Sequence, residues 1–243
     1  MATFVLVHGA GDSGWYWHLV QAELAARGHR AVAPDLPCDN KTASLDDYSD
    51  AVAEAAAEAG AAAEAGAAEA GAAAGQQDLV VVSQSYGAFA ATLAASRLGP
   101  RLLVLLAGMI PAPGETPGQW WASTGYQQAA EEQARLDGGL TGNEDPLISY
   151  YNGVPRALAE EALRRGGRGE SAVVYDTPWP LNAWPDVPTK FILCRDDHFF
   201  PAAFLRRLAR ERLGIVPDEV PGCHCAALSH PRELAGLLVS YLG

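Results

Sequence analysis

The run Leu79-Val80-Val81-Val82-Ser83-Gln84-Ser85-Tyr86-Gly87 constrains this chain more than any other segment. Continuous apolar β-formers read as a strand buried on both faces. Beyond Gly87 the spacing turns helical through Ala88, Phe89, Ala91, Leu93 and Ala94. A strand that passes into a helix through Ser-x-Ser-x-Gly must turn sharply and hold its middle serine in a strained backbone conformation. Its neighbours two residues away on either side must therefore be small. Gly87 meets that need and Ser83 stands where glycine is usual, which makes Ser85 the candidate on a nucleophile elbow. The helix behind it offers N–H groups and a positive dipole end to a developing oxyanion. A bare Ser-x-Ser-x-Gly also fits an ordinary helix cap. The strand before it and the helix after it favour the nucleophile.

The rest of the chain repeats the alternation. Short apolar strands are predicted at Phe4 to His8, Ala31 to Ala33, Leu102 to Leu106, Phe191 to Cys194 and up to Val220. Helices are predicted at Trp15 to Arg27, from Leu45 onward, at Ala202 to Leu213 and at Pro231 to Leu242. Such alternation means a mostly parallel sheet flanked by helices, an α/β fold. Between Ile110 and Pro188 the pattern breaks into Pro, Gly and aromatic residues, with helical pieces at Tyr126 to Leu136 and Arg156 to Arg165. This reads as a helical cap insertion (about 111–185) on a core formed by 1–110 and 186–243, the whole being one domain, 1–243. Residues 52–75 are almost wholly Ala, Glu and Gly. They repeat Glu-Ala-Gly at Glu58, Glu64 and Glu69 and read as a low-complexity expansion of a surface helix.

Composition narrows the function. The net charge is −12 over 243 residues, which repels phosphate backbones and anionic bilayers, so no nucleic acid and no membrane partner is expected. No run approaches the ~18 apolar residues of a membrane span. The N-terminus has no basic region before its first strand, so a signal peptide is not expected. Four scattered cysteines, Cys38, Cys194, Cys223 and Cys225, do not make a disulfide scaffold and point to a cytoplasmic setting. Three consecutive residues, Cys223-His224-Cys225, cannot easily aim their side chains at one ion, so no metal is expected. The acidic surface is compatible with a monomer or a homodimer.

A serine needs a base to become a nucleophile. In the chain order Ser, acid, His, two histidines lie downstream in suitable turns. His224 sits in Pro221-Gly222-Cys223-His224 beyond the last strand and is preferred to His230, which precedes Pro231 as a cap-region residue. The acid should follow the strand ending at Cys194, where Asp196 and Asp197 both stand and Asp197 is preferred. Oxyanion donors are expected from the amide of Tyr86, after the nucleophile, and of Ala10, in the glycine turn His8-Gly9-Ala10-Gly11. His8 reads as structural. Trp120, Trp121, Tyr150, Tyr151 and Phe199 are candidates for the wall of an apolar substrate pocket.

Val5-Leu6-Val7-His8-Gly9-Ala10, Trp15-Tyr16-Trp17, Ala33-Pro34-Asp35-Leu36-Pro37 and the elbow together resemble the α/β-hydrolase superfamily. Within it they resemble the small branch of plant methyl esterases and hydroxynitrile lyases with their bacterial relatives. The resemblance is extended by Leu45-Asp46-Asp47-Tyr48 and the Cys194 to Pro201 stretch. It implies a Ser85–Asp197–His224 triad, no metal, no cofactor, and a pocket between core and cap. In that branch the acid slips by one residue between esterases and lyases, which keeps Asp196 open. The lyases carry a lysine directly after the catalytic histidine; Cys225 stands there, which disfavours cyanohydrin cleavage. The expectation is a serine hydrolase of a small, largely apolar carboxylic ester or lactone. Two other readings share the fold: a lyase or cofactor-free reaction with His224 as general base, and a catalytically silent ligand-binding homologue.

Overall fold

The computed structural model describes residues 1–69 and 78–243. Its element order is β1 (Ala2–Val7), α1 (His18–Ala26), β2 (Arg30–Val32), α2 (Leu45–Glu69), β3 (Asp78–Gln84), α3 (Ala88–Leu98) and β4 (Leu102–Leu106). Then come α4 (Pro117–Ser123), α5 (Tyr126–Asp137), α6 (Pro146–Ser149), α7 (Arg156–Arg165) and α8 (Ala172–Asp176). The chain returns through β5 (Thr189–Cys194), α9 (Ala202–Leu213), β6 (Asp218–Val220), α10 (Ala226–Ser229) and α11 (Pro231–Ser240).

The strands lie in the order β2-β1-β3-β4-β5-β6, and each adjacent pair is parallel. Every residue of β1 and β4 is buried, which requires cover on both faces of the sheet. Helix α1 rests against α11, and α2 against α3. In α3 every residue from Ala88 to Ala95 is buried, which the run of small side chains permits. Gly99, in the left-handed conformation, then ends the helix.

One detail differs from the sequence expectation. The helix expected from Trp15 begins as a 3-10 turn, Gly14–Trp17, and becomes α-helical only at His18. The Asp35 carboxylate accepts the Gly14 N–H at 2.7 Å and fixes this entry to the loop after β2. The Ala-Glu-Gly run is helical within α2, which buries Val52, Ala56 and Ala59 on one side. The part of that run from 70 to 75 lies outside the described residues.

The stretch between β4 and β5 carries α4 to α8 and attaches to the sheet layers through polar groups as well as rings. Glu115, which is buried, accepts from Arg212 of α9 at 2.8 Å. Burial opposes the charge on Glu115, but the Arg212 and Ser123 hydrogen bonds outweigh it and hold the carboxyl below its ordinary range. The indole of Trp179 donates to Thr92 Oγ1 on α3 at 3.2 Å.

Candidate active site

The chain steps from β1 outward to β2, then crosses back over β1 to β3. Such a reversal leaves a crevice at the carboxyl ends of β1 and β3, the usual ligand position in open parallel sheets. Ser85 follows β3 there. It has φ of +50°, in the left-handed region that non-glycine residues avoid. Gly87 explains why a small residue is needed two positions on: a Cβ there would lie 2.3 Å from the carbonyl oxygen of His8. Ser83 fits the other flank within β3, fully buried.

His224 lies on the loop beyond β6 and is buried. Its Nδ1 donates to Asp197 Oδ2 at 2.8 Å. Asp197 is also buried, and its other oxygen accepts the amides of Phe199 at 2.7 Å and Phe200 at 2.9 Å. In the neutral imidazole, a proton held on Nδ1 by this acceptor leaves Nε2 as the nitrogen that can take a proton. The rings of Phe199 and Phe200 pack edge-on against the imidazole at 4.9 and 5.2 Å and restrict its rotation.

Asp196 does something else. It is exposed, its carboxylate accepts the Gly222 amide at 3.0 Å, and its own amide donates to Gly222 O at 3.0 Å. It staples the loop after β5 to the loop that carries His224. His230 precedes α11 as its N-cap residue, with Nδ1 3.1 Å from Ser229 Oγ, and does not line the cavity.

Ala10 and Tyr86 line one cavity of about 290 Å³ with Ser85 and His224. The turn that carries Ala10 is tied down by His8, fully buried. His8 Nδ1 donates to Gly9 O at 2.8 Å, and Nε2 accepts the Leu36 amide at 3.0 Å. Burial lowers the pKa of His8, which suits the neutral tautomer that this pair of bonds requires.

Of the five aromatic residues expected on the pocket wall, Trp121, Tyr150, Tyr151 and Phe199 line the cavity. Trp120 does not. It is fully buried, donates its indole N–H to Ile110 O at 3.0 Å, and packs on Phe200 and Phe204. Successive residues of a helix point about 100° apart, so α4 gives Trp121 to the cavity and Trp120 to the core.

The cavity also has walls that the sequence did not mark: Asp12, Gln84, Met109, Glu170, Tyr175 and Cys225. Burial pushes the Cys225 thiol well above its ordinary value, so it is a protonated, unreactive wall. No lysine or arginine lines the cavity among the described residues.

Asp12 is half-buried in the turn after β1, and burial raises its carboxyl to about 6. The unfolded chain loses this proton near the ordinary carboxylate value, while the folded chain keeps it to about 6. The group therefore subtracts stability as pH rises through that window. At about 1.4 kcal/mol per pKa unit, the ionised side chain costs roughly 3 kcal/mol above the window. Asp12→Asn should unfold at higher urea than the parent at pH 7.5, with the gap closing at pH 4. A gap that is equal at both pH values would refute this assignment.

The chain matches the model of the alpha/beta hydrolase family over residues 4–237. It is 27% identical to "Probable esterase PIR7A" of Oryza sativa subsp. indica, over 97% of this chain and 95% of that protein. It is 25% identical to "Pyrethroid hydrolase" of Sphingobium wenxiniae, over 98% of this chain and 86% of that one. Among solved structures it resembles polyneuridine aldehyde esterase with a TM-score of 0.75, at 19% identity and over 100% of both chains. No helix among the described residues is long and apolar enough to cross a membrane. The family match over nearly all of the chain, on a fold that carries the family's strand–serine–helix turn, means that this chain belongs to the alpha/beta hydrolase family.

Proposed function

We propose that this chain is a serine hydrolase that cleaves a small, largely apolar carboxylic ester or lactone through an acyl-enzyme on Ser85. Its enzyme class is the carboxylesterase-type hydrolase, a reading supported by relatives aligned along nearly the whole chain that are named esterases and a hydrolase. The observation that carries the mechanism is the hydrogen bond that Asp197 accepts from Nδ1 of His224, which lines the same cavity as a strained Ser85.

His224 takes the Ser85 hydroxyl proton as Oγ bonds to the ester carbonyl carbon. The carbonyl oxygen gains the negative charge, and the amides of Ala10 and Tyr86 stabilise it. Collapse of the tetrahedral intermediate breaks the bond to the alcohol oxygen, which leaves with the proton from His224. Water then repeats the sequence on the acyl-enzyme and releases the acid. Asp197 orients the imidazole and stabilises its cation. Trp121, Tyr150, Tyr151 and Phe199 wall the acyl or alcohol side, and the small volume suits a compact substrate. In this reading residues 1–243 act as one domain, with 111–185 as a cap over the core.

A fluorophosphonate probe tests the proposal. The expected result is one adduct by intact mass, mapped to Ser85, with fluoride as leaving group, and its loss in His224→Ala. A folded protein that takes up no probe and turns over none of a panel of methyl, aryl and lactone esters would overturn it.

A further inference from the structure

The cavity contains a carboxylate that this mechanism does not use. Glu170 comes from the segment between α7 and α8, far along the chain from the strands that build the site. Its Oε1 accepts the backbone N–H of Gly11 at 3.0 Å, and its Oε2 accepts the Tyr48 phenol of α2 at 2.7 Å. The Cys38 thiol donates to Oε1 at 3.5 Å.

Arg168 makes the same attachment a second time. Its amide donates to Gly11 O at 3.3 Å, and its guanidinium to Asp12 O at 3.2 Å and Leu36 O at 3.1 Å. An ion pair with Asp39 at 2.9 Å holds that guanidinium in place. Residues 168 and 170 thus grip the turn after β1 from above.

The gripped element is the oxyanion turn itself. The peptide between Gly9 and Ala10 presents the Ala10 N–H, and its carbonyl oxygen is held by His8 at 2.8 Å. The next peptide is free to swing unless something holds it, because Gly11 has φ of +69°, where glycine meets no steric penalty. Glu170 holds the N–H of that peptide. Catalysis by an oxyanion hole depends on donors fixed before the charge develops, so a loose turn would lose it.

We propose that Glu170 is a positioning residue for the oxyanion hole, locking the turn through Gly11 so that the Ala10 amide faces the reacting carbonyl oxygen. The proposal rests on the ester-hydrolase reading. It makes the oxyanion hole depend on the docking of the cap segment. It also predicts that geometry, and not charge, is what Glu170 supplies, since a negative charge near this site opposes the oxyanion.

The test compares Glu170→Ala, Glu170→Gln and the parent. The readouts are kcat and KM for p-nitrophenyl butyrate, and the second-order rate of Ser85 phosphonylation by a fluorophosphonate. Glu170→Ala should lower kcat and the phosphonylation rate roughly 10- to 100-fold, the scale of a displaced catalytic group. KM should change by less than about twofold, since the bond acts on the transition state. Glutamine can still accept the Gly11 N–H, so Glu170→Gln should stay within about threefold of the parent. Parental kcat in Glu170→Ala, a loss confined to KM, or equal damage from glutamine would each overturn the proposal.

If the alanine variant fails to fold, Tyr48→Phe removes one tie on the same carboxylate. It should lower kcat several-fold at constant KM, and an unchanged kcat would overturn the role. A parent protein that labels on Ser85 keeps the hydrolase reading intact whatever Glu170 does. A parent that neither labels nor turns over ester removes that reading, and the positioning role falls with it.

Discussion

Alanine in place of Ser85 should reduce ester turnover by on the order of 10⁴- to 10⁶-fold, the loss seen when a nucleophile is removed from a cooperating triad. The fold should survive. Ser85 is buried at the end of β3, and its hydroxyl is not what closes the turn: its backbone carbonyl accepts the Met109 amide at 2.9 Å, and alanine keeps that bond. Stability should even rise in Ser85→Gly, by about 1 kcal/mol, because glycine carries no penalty at a φ of +50°. A chemical denaturation series on the two variants, beside kinetics on p-nitrophenyl esters, checks both halves. Loss of activity with no loss of stability is the signature of a strained residue kept for chemistry. Near-parental turnover in either variant would move the reaction onto His224 as a general base and remove the acyl-enzyme.

The elbow was legible in the sequence because its physics is local. A buried strand, small residues at Ser83 and Gly87 and a following helix all lie within one short run, and each answers to the same steric demand. The parallel sheet was legible for a similar reason, since β1, β3, β4 and β5 are continuous apolar runs. What the sequence could not place depends on contacts between distant segments. Glu170 sits in a Gly-rich stretch with no periodicity, and only folding brings it to Gly11 and Tyr48. Asp12 reads as a polar turn residue until the cavity encloses it. Trp120 and Trp121 are chemically alike and adjacent, and the rotation of α4 decides which one meets the cavity.

Asparagine at 197 should lower kcat by roughly 10⁴-fold, while asparagine at 196 should leave it within a few-fold, because the two carboxylates hold different partners. At 197 the amide nitrogen would face His224 Nδ1 and donate to it. The imidazole would then keep its proton on Nε2, the atom that must be vacant to receive one from Ser85. The remaining oxygen at 197 would still accept from Phe199 and Phe200, so the loop keeps its shape and the loss is one of tautomer, not of folding. At 196 an amide oxygen still accepts the Gly222 N–H, and the exposed position adds no desolvation cost. Steady-state kinetics on both variants, with the stability of each measured in parallel, separates the roles. If Asp196→Asn were the damaging change and Asp197→Asn harmless, the acid would lie one residue earlier, and the bond observed between Asp197 and His224 would not be the one used in turnover. One residue of slip carries this weight because Asp196 faces solvent and Asp197 the interior, so only one of two adjacent carboxylates can meet a buried imidazole.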